Sequence, residues 1–188
     1  MRTSVDEAMR AVPREHFLPP EQHRSADLDQ ALEVGHGQTC SQPSTVADML
    51  QLLDVQPSMR VLDVGSGTGW TTALLGHLVG PDGCVIGCEI VPELVERGRD
   101  NLAGEDMRWT RIEAAEHGTL GRPENAPYDR ILVSAMSDSL PYELVEQVAP
   151  GGILVIPVAG SMTRVVVDPA GVPRISRHGT YRFVPLIR

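Results

Sequence analysis

The stretch "VLDVGSGTGW" at residues 61–70 carries the pattern with the clearest chemical consequence. An apolar run holds Asp63 near its end, and Gly65, Gly67 and Gly69 then alternate, with Ser66 between the first two, through a turn that opens a helix-like segment. Alternating glycines let the backbone approach a ligand closely and adopt dihedrals closed to other residues. Glu89 ends the next apolar run, about 20 residues beyond the glycines, where a carboxylate can accept both hydroxyls of a ribose. A dinucleotide fingerprint calls for another glycine at position 70, and Trp70 stands there instead. Asp63 at a strand tip disfavours a pyrophosphate but suits a ligand bearing an ammonium and a sulfonium. S-adenosylmethionine is such a ligand, which makes Asp63, Gly65, Ser66, Gly67, Gly69 and Glu89 the candidate cofactor-binding residues.

The elements that must position this turn follow from residue 60 onward. "RVLDVG", "CVIGCEI", "MRWTRIE", "YDRILVSA" and "GGILVIPV" are strand-like, while "TTALLGHLVG", "PELVERGRDNL" and "YELVEQV" have helical apolar spacing. Alternation of this kind implies an α/β fold, a doubly wound, mostly parallel sheet of seven strands wrapped by helices. The tail departs from it. "TRVVVDPAGVPRI" reads as a strand entering a Pro/Gly turn and "YRFVPLI" as a last strand, so the chain is expected to end in an antiparallel hairpin at a sheet edge. Ahead of the sheet, residues 3–12 read as a short helix and "PSTVADMLQLLDV" as a longer one. The polar stretch "VGHGQTCSQPS" at 34–44 joins those helices as a loop over the rim of the sheet.

With 188 residues and 41% hydrophobic content, the chain suits one domain, an N-terminal helical extension over 1–58 and a cofactor-binding sheet over 59–188. Asp and Glu outnumber Lys and Arg by 25 to 16, and a net charge of -9 repels a nucleic-acid backbone. No uninterrupted run reaches the roughly 18 apolar residues of a membrane span, and the N-terminus lacks the apolar core of a secretion signal. A cytoplasmic protein without nucleic-acid or membrane partners is therefore expected, acting as a monomer. Cys40, Cys84 and Cys88 make neither a closed set of disulfides nor a four-ligand zinc pattern, so no metal is expected. Cys84 and Cys88 fall on one face of a strand as small apolar residues.

"VPREHFLP" (12–19), "GHGQTCSQPS" (35–44), "VLDVGSGTGW" (61–70), "APYDRILVSA" (126–135), "GGILVIPV" (151–158) and "RFVPLI" (182–187) together resemble the protein-L-isoaspartate O-methyltransferase family. The "GQTxSQP" and "RFVPL" elements are more specific to that family than the glycine turn, which class I methyltransferases share. The resemblance implies an S-adenosylmethionine-dependent enzyme that esterifies the carboxylate of an L-isoaspartyl residue in a damaged protein or peptide. It implies that the 35–44 loop is a polar lid, that Ser41 contacts the carboxylate and Thr39 assists, and that His36, Gln38, Gln42, Ser134 and Ala135 line the substrate site.

The chemistry agrees. A carboxylate with a pKa near 4 is already an ionised nucleophile at neutral pH and needs positioning rather than a general base. Hydroxyl donors such as Thr39 and Ser41 aim it without the tight ion pair an arginine would form. His36 then serves as a hydrogen-bonding loop residue, and helix N-capping is the alternative role for Ser41. Two places depart from the family pattern. Its Gly-Asp-Gly turn is replaced by "AAEHGTLG", leaving Glu116 and His117 as adenine acceptors, with Glu116 favoured. "SAMSDSLP" brings Asp138 toward the expected substrate channel, which keeps open a second carboxylate substrate in a dedicated peptide or metabolite. A non-catalytic cofactor-binding protein is the alternative from another class.

Overall fold

A computed structural model describes residues 4–188. The helix expected from residue 3 runs Ser4–Ala11 (α1), residue 3 lying outside the described residues. Two short 3-10 turns follow, at Arg14–Phe17 and Pro20–Ser25. The expected loop then proves to be a two-stranded antiparallel ribbon of Leu32–Gly35 (β1) and Gln38–Cys40 (β2). Its turn is built on His36 and Gly37, at φ 56° and 69°. Paired left-handed residues match the twist of a tight hairpin, and a histidine tolerates that conformation better than most non-glycine residues. Helix α2 (Pro43–Leu53) opens directly after the ribbon.

The main sheet contains β3 (Arg60–Val64), β4 (Cys84–Glu89), β5 (Thr110–Ala114), β6 (Tyr128–Val133), β7 (Val148–Val158), β8 (Ser161–Val167) and β9 (Pro173–Thr180). Their spatial order is β5-β4-β3-β6-β7-β8-β9. The first five are parallel and the last two antiparallel. Helices α3 (Trp70–Val79) and α4 (Pro92–Ala103) make the crossovers between β3, β4 and β5. The chain then returns to lay β6 beside β3. At such a reversal the loops after neighbouring strands part and leave a crevice at their carboxyl ends.

Strand residues alternate between two cores. Val61, Val85, Leu132 and Val155 pack with α1–α4 on one face. Leu62, Ile86, Ile131 and Leu154 pack on the other with Leu120 and with Leu144 and Val145 of the short helix α5 (Tyr142–Val145). Cys84 and Cys88 both face this second core, as their spacing predicts, and all three cysteines are free thiols. Among the described residues no helix is long and apolar enough to cross a membrane.

Two expectations are corrected. "YELVEQV" yields only one helical turn, because Val148 already pairs with Tyr128 as the start of β7. The last strand is Pro173–Thr180, not "YRFVPLI". Pro185 has no amide to give a ladder, and the segment folds back over the sheet, with Met136 N donating to Val184 O and Leu186 N to Met136 O, both at 2.8 Å. An edge strand reading "PRISRHGT" lacks apolar alternation because much of it meets solvent.

Candidate active site

At the carboxyl end of β3 the chain turns through Gly65, Gly67 and Gly69, at φ 74°, 54° and 95°, a region costly for any side chain. The turn is held from three sides. Gly65 N and Ser66 N both donate to Cys88 O, at 2.9 and 3.1 Å. Asn101 Nδ2 on α4 donates to Thr68 O at 2.9 Å. Gly67 N donates to Glu89 Oε2 at 2.8 Å. Glu89 Oε1 accepts Ile90 N and Val91 N at 2.8 and 2.9 Å, so the carboxylate is fixed by three backbone donors.

Asp63 is fully buried beneath the turn. Its Oδ2 accepts the hydroxyls of Thr71 and Thr72, each at 2.7 Å, while Oδ1 has no partner among the described residues. Burial pushes its carboxyl up to about 6, against the two threonine hydroxyls and with the nearby Glu89 charge adding to the rise.

A cleft open to solvent lies across the ends of β3, β4 and β6. Gly65, Ser66, Gly67 and Glu89 form one wall, and Thr119, Leu120 and Gly121 form another. The ribbon contributes Gln38, Thr39, Cys40 and Ser41, β6 ends in Ser134 and Ala135, and Val184–Ile187 close the far side. A groove beside it is lined by Ala31, Gln42, Thr45 and residues 180–183. Thr39, Ser41, Ser134 and Val184 line both hollows and so form the partition between them.

The fold thus gathers Gln38, Thr39, Ser41, Gly65, Ser66, Gly67, Glu89, Ser134 and Ala135 around one cleft. Gln42 lines only the groove, its Nε2 donating to Asp29 Oδ2 at 3.0 Å. Asp63 and Gly69 stay outside the cleft lining, the first beneath the turn and the second at the start of α3, with its Cβ position crowded by Gly98. Glu116 and His117 also fall outside it: both are exposed, since β5 ends at Ala114 and the chain turns outward before re-entering at Thr119. His36 lies at the ribbon tip, 3.9 Å from Glu93, and Asp138 is exposed and faces neither hollow. Ser41 does not cap α2: the N-cap position is Gln42, and Ser44 N is taken by Asp29 Oδ1 at 2.9 Å.

The sequence reading missed Arg14. Its side chain is buried, and all five of its N–H groups find acceptors. Nε meets Cys40 Sγ at 3.4 Å, Nη1 meets Ala26 O and Leu28 O at 3.4 and 3.2 Å, and Nη2 meets Gln30 O and Cys40 O at 2.8 Å each. The guanidinium also stacks 5.4 Å from the Trp70 ring, tying the ribbon to the first turn of α3. On the other side, Arg97 Nη1 donates to Val34 O at 2.9 Å. Thr119–Gly121 and Val184–Ile187 were missed as well. A buried arginine satisfied by backbone carbonyls and a cysteine sulfur leaves no sequence signal beyond its place in "VPREHF".

Two hydroxyls in the lining, Ser66 Oγ and Ser134 Oγ, are buried without a partner among the described residues. Such groups cost stability unless a ligand satisfies them. Together with the Glu89 carboxylate and a bare Gly67 backbone, whose Cβ position meets nothing within 4 Å, they suit a ligand with hydroxyl and amine groups.

The family model for protein-L-isoaspartate(D-aspartate) O-methyltransferase matches residues 1–188. A protein-L-isoaspartate O-methyltransferase of Aeropyrum pernix is 46% identical over 187 residues, covering 97% of this chain and 72% of its own. One from Methanothrix thermoacetophila is 46% identical over 185 residues, covering 97% and 87%. The crystal structure of a beta-aspartate methyltransferase from Plasmodium falciparum, in complex with S-adenosyl-L-homocysteine, is 25% identical. It superposes with a TM-score of 0.86 over 98% of this chain and 90% of its own.

Proposed function

This chain belongs to the protein-L-isoaspartate(D-aspartate) O-methyltransferase family, and from that premise we propose that it transfers a methyl group from S-adenosylmethionine to the free carboxylate of an L-isoaspartyl residue in a protein or peptide. The observation that carries the reading is the partition of Thr39, Ser41, Ser134 and Val184, which divides the cleft at the glycine turn from the neighbouring groove.

On the cleft side, the glycine turn and Glu89 would hold the nucleoside, with Thr119–Gly121 against the base. Bound there, S-adenosylmethionine supplies an electrophilic methyl group on a sulfonium. The protein's own task is then positional. A peptide carboxylate entering from the groove is already ionised, so no residue has to remove a proton. Hydroxyls of Thr39, Ser41 and Ser134 donate to it and fix its approach. They do so without an ion pair that would favour the charged ground state, and the reaction consumes one negative and one positive charge.

A cytoplasmic location is in keeping with three free thiols, and we propose that the protein acts as a monomer. Incubation with methyl-labelled cofactor and an isoaspartyl peptide should give a base-labile methyl ester, one per isoaspartyl residue. Absence of the ester would contradict the reading.

A further inference from the structure

The groove has one rim of unusual charge. Residues 173–188 carry Arg174, Arg177, His178, Arg182 and Arg188 with no Asp or Glu, in a chain of net charge -9. Arg174 lies 3.8 Å from Asp168, and Arg188 lies 2.8 Å from Glu143. Arg177 and Arg182 have no carboxylate within ion-pair distance among the described residues, and both are exposed. Arg182 lines the groove itself, and Arg177 stands on β9, whose outer edge pairs with no other strand. The opposite rim is built from α2 and the segment before it. Its acids are engaged: Asp29 accepts Gln42 Nε2 and Ser44 N, and Asp48 accepts the Tyr181 hydroxyl at 2.9 Å. One uncommitted guanidinium group, that of Arg182, thus lines the groove, while Arg177 pairs with Thr163 and lies on the face of the sheet away from α2.

We infer that this rim is a specificity subsite, in which Arg182 binds an acidic side chain flanking the isoaspartyl residue of an extended peptide. The inference rests on the proposed function and narrows its substrate class. A guanidinium at a groove wall steers and pairs a carboxylate, while the isoaspartyl carboxylate itself is received by the hydroxyls of the partition. The gain is that of a partly exposed ion pair, and salt screens it.

The test uses isoaspartyl peptides that differ only at one flanking position, occupied in turn by Glu, Gln and Lys, scanned over three residues on each side. At one position or more, kcat/KM should run Glu over Gln over Lys, with Glu about three- to fivefold above Lys at low salt, chiefly through KM. The ratio should shrink toward one in 0.5 M salt and in Arg182→Gln, and should survive in Arg182→Lys and in Arg177→Gln, whose side chain lies off the groove. S-adenosylhomocysteine binding reports that each variant is folded. Turnover of every peptide at equal efficiency, or a preference untouched by Arg182→Gln, overturns the subsite alone. Failure of all isoaspartyl peptides, neutral flanks included, overturns the proposed function and the subsite with it.

Discussion

Glu89 accepts the amide of Gly67 at 2.8 Å across 22 positions of sequence. One carboxylate therefore shapes the glycine turn and lines the cleft. Glu89→Gln keeps one carbonyl acceptor but replaces the other oxygen with a donor facing donors. Binding of S-adenosylhomocysteine should weaken by about 1–3 kcal/mol, which calorimetry reads directly. Unchanged affinity would mean that the cleft does not use this residue.

Arg14 predicts a separable effect on the ribbon. Arg14→Lys supplies three donors where five are used, and Arg14→Met supplies none, leaving the carbonyls of Gln30 and Cys40 short of partners. Urea unfolding should show a loss of about 1–3 kcal/mol, larger for Met. Peptide KM should rise more than the cofactor's dissociation constant, since the displaced residues adjoin Thr39 and Ser41. An equal effect on both ligands would show that Arg14 supports the whole fold and not the ribbon.

Asp63 predicts a pH dependence. Its folded-state pKa of about 6 lies above the ordinary 3.8, so between those values the native protein binds more protons than the unfolded chain. Its contribution to stability is present below about pH 4 and is lost as pH rises through 6, by about 3 kcal/mol in all. Asp63→Asn cannot ionise. The stability difference between wild type and this variant, followed by urea midpoints from pH 4 to 6.5, should shift against the wild type as pH rises, and a constant difference would refute the assignment.

These three residues also mark what the sequence could tell. Asp63 and Glu89 were legible because a strand end, a glycine turn and a second strand end lie close along the chain, and near-continuous apolar runs marked the parallel strands around them. The roles divided in a way spacing cannot express: Glu89 faces the cleft, while Asp63 lies under the turn with two threonines. Arg14 stayed silent because its partners are backbone carbonyls 12 to 26 residues away, and any sequence has carbonyls. Glu116 and His117 misled for a similar reason. They follow the third strand as the family's aspartate does, but the chain turns outward there and the wall is made by Thr119 and its apolar neighbours. The β1–β2 ribbon read as a loop because its strands are only four and three residues long and the alternation of Leu32 and Val34 is not continued in the polar β2, where the His36–Gly37 turn sets the pairing.

Ser41 carries a prediction about the partition. Ser41→Ala should leave cofactor binding within about twofold and lower methyl transfer by about tenfold or more, the effect of about 1.4 kcal/mol of lost orientation in the transition state. Single-turnover rates with saturating cofactor measure it. A change confined to cofactor affinity would remove Ser41 from the acceptor side.

The central claim is that the partition presents an isoaspartyl carboxylate to the methyl donor, and paired peptides identical but for an L-isoaspartyl or an L-aspartyl linkage test it most directly. The isoaspartyl carboxylate stands beside a backbone lengthened by one methylene, so a site shaped to it misplaces the aspartyl carboxylate, and misplacement near 1 Å costs about a hundredfold. The account predicts rapid formation of one methyl ester on the isoaspartyl peptide and at least that disadvantage in kcat/KM for its aspartyl twin. Equal methylation of the two, or methylation of neither, would contradict it.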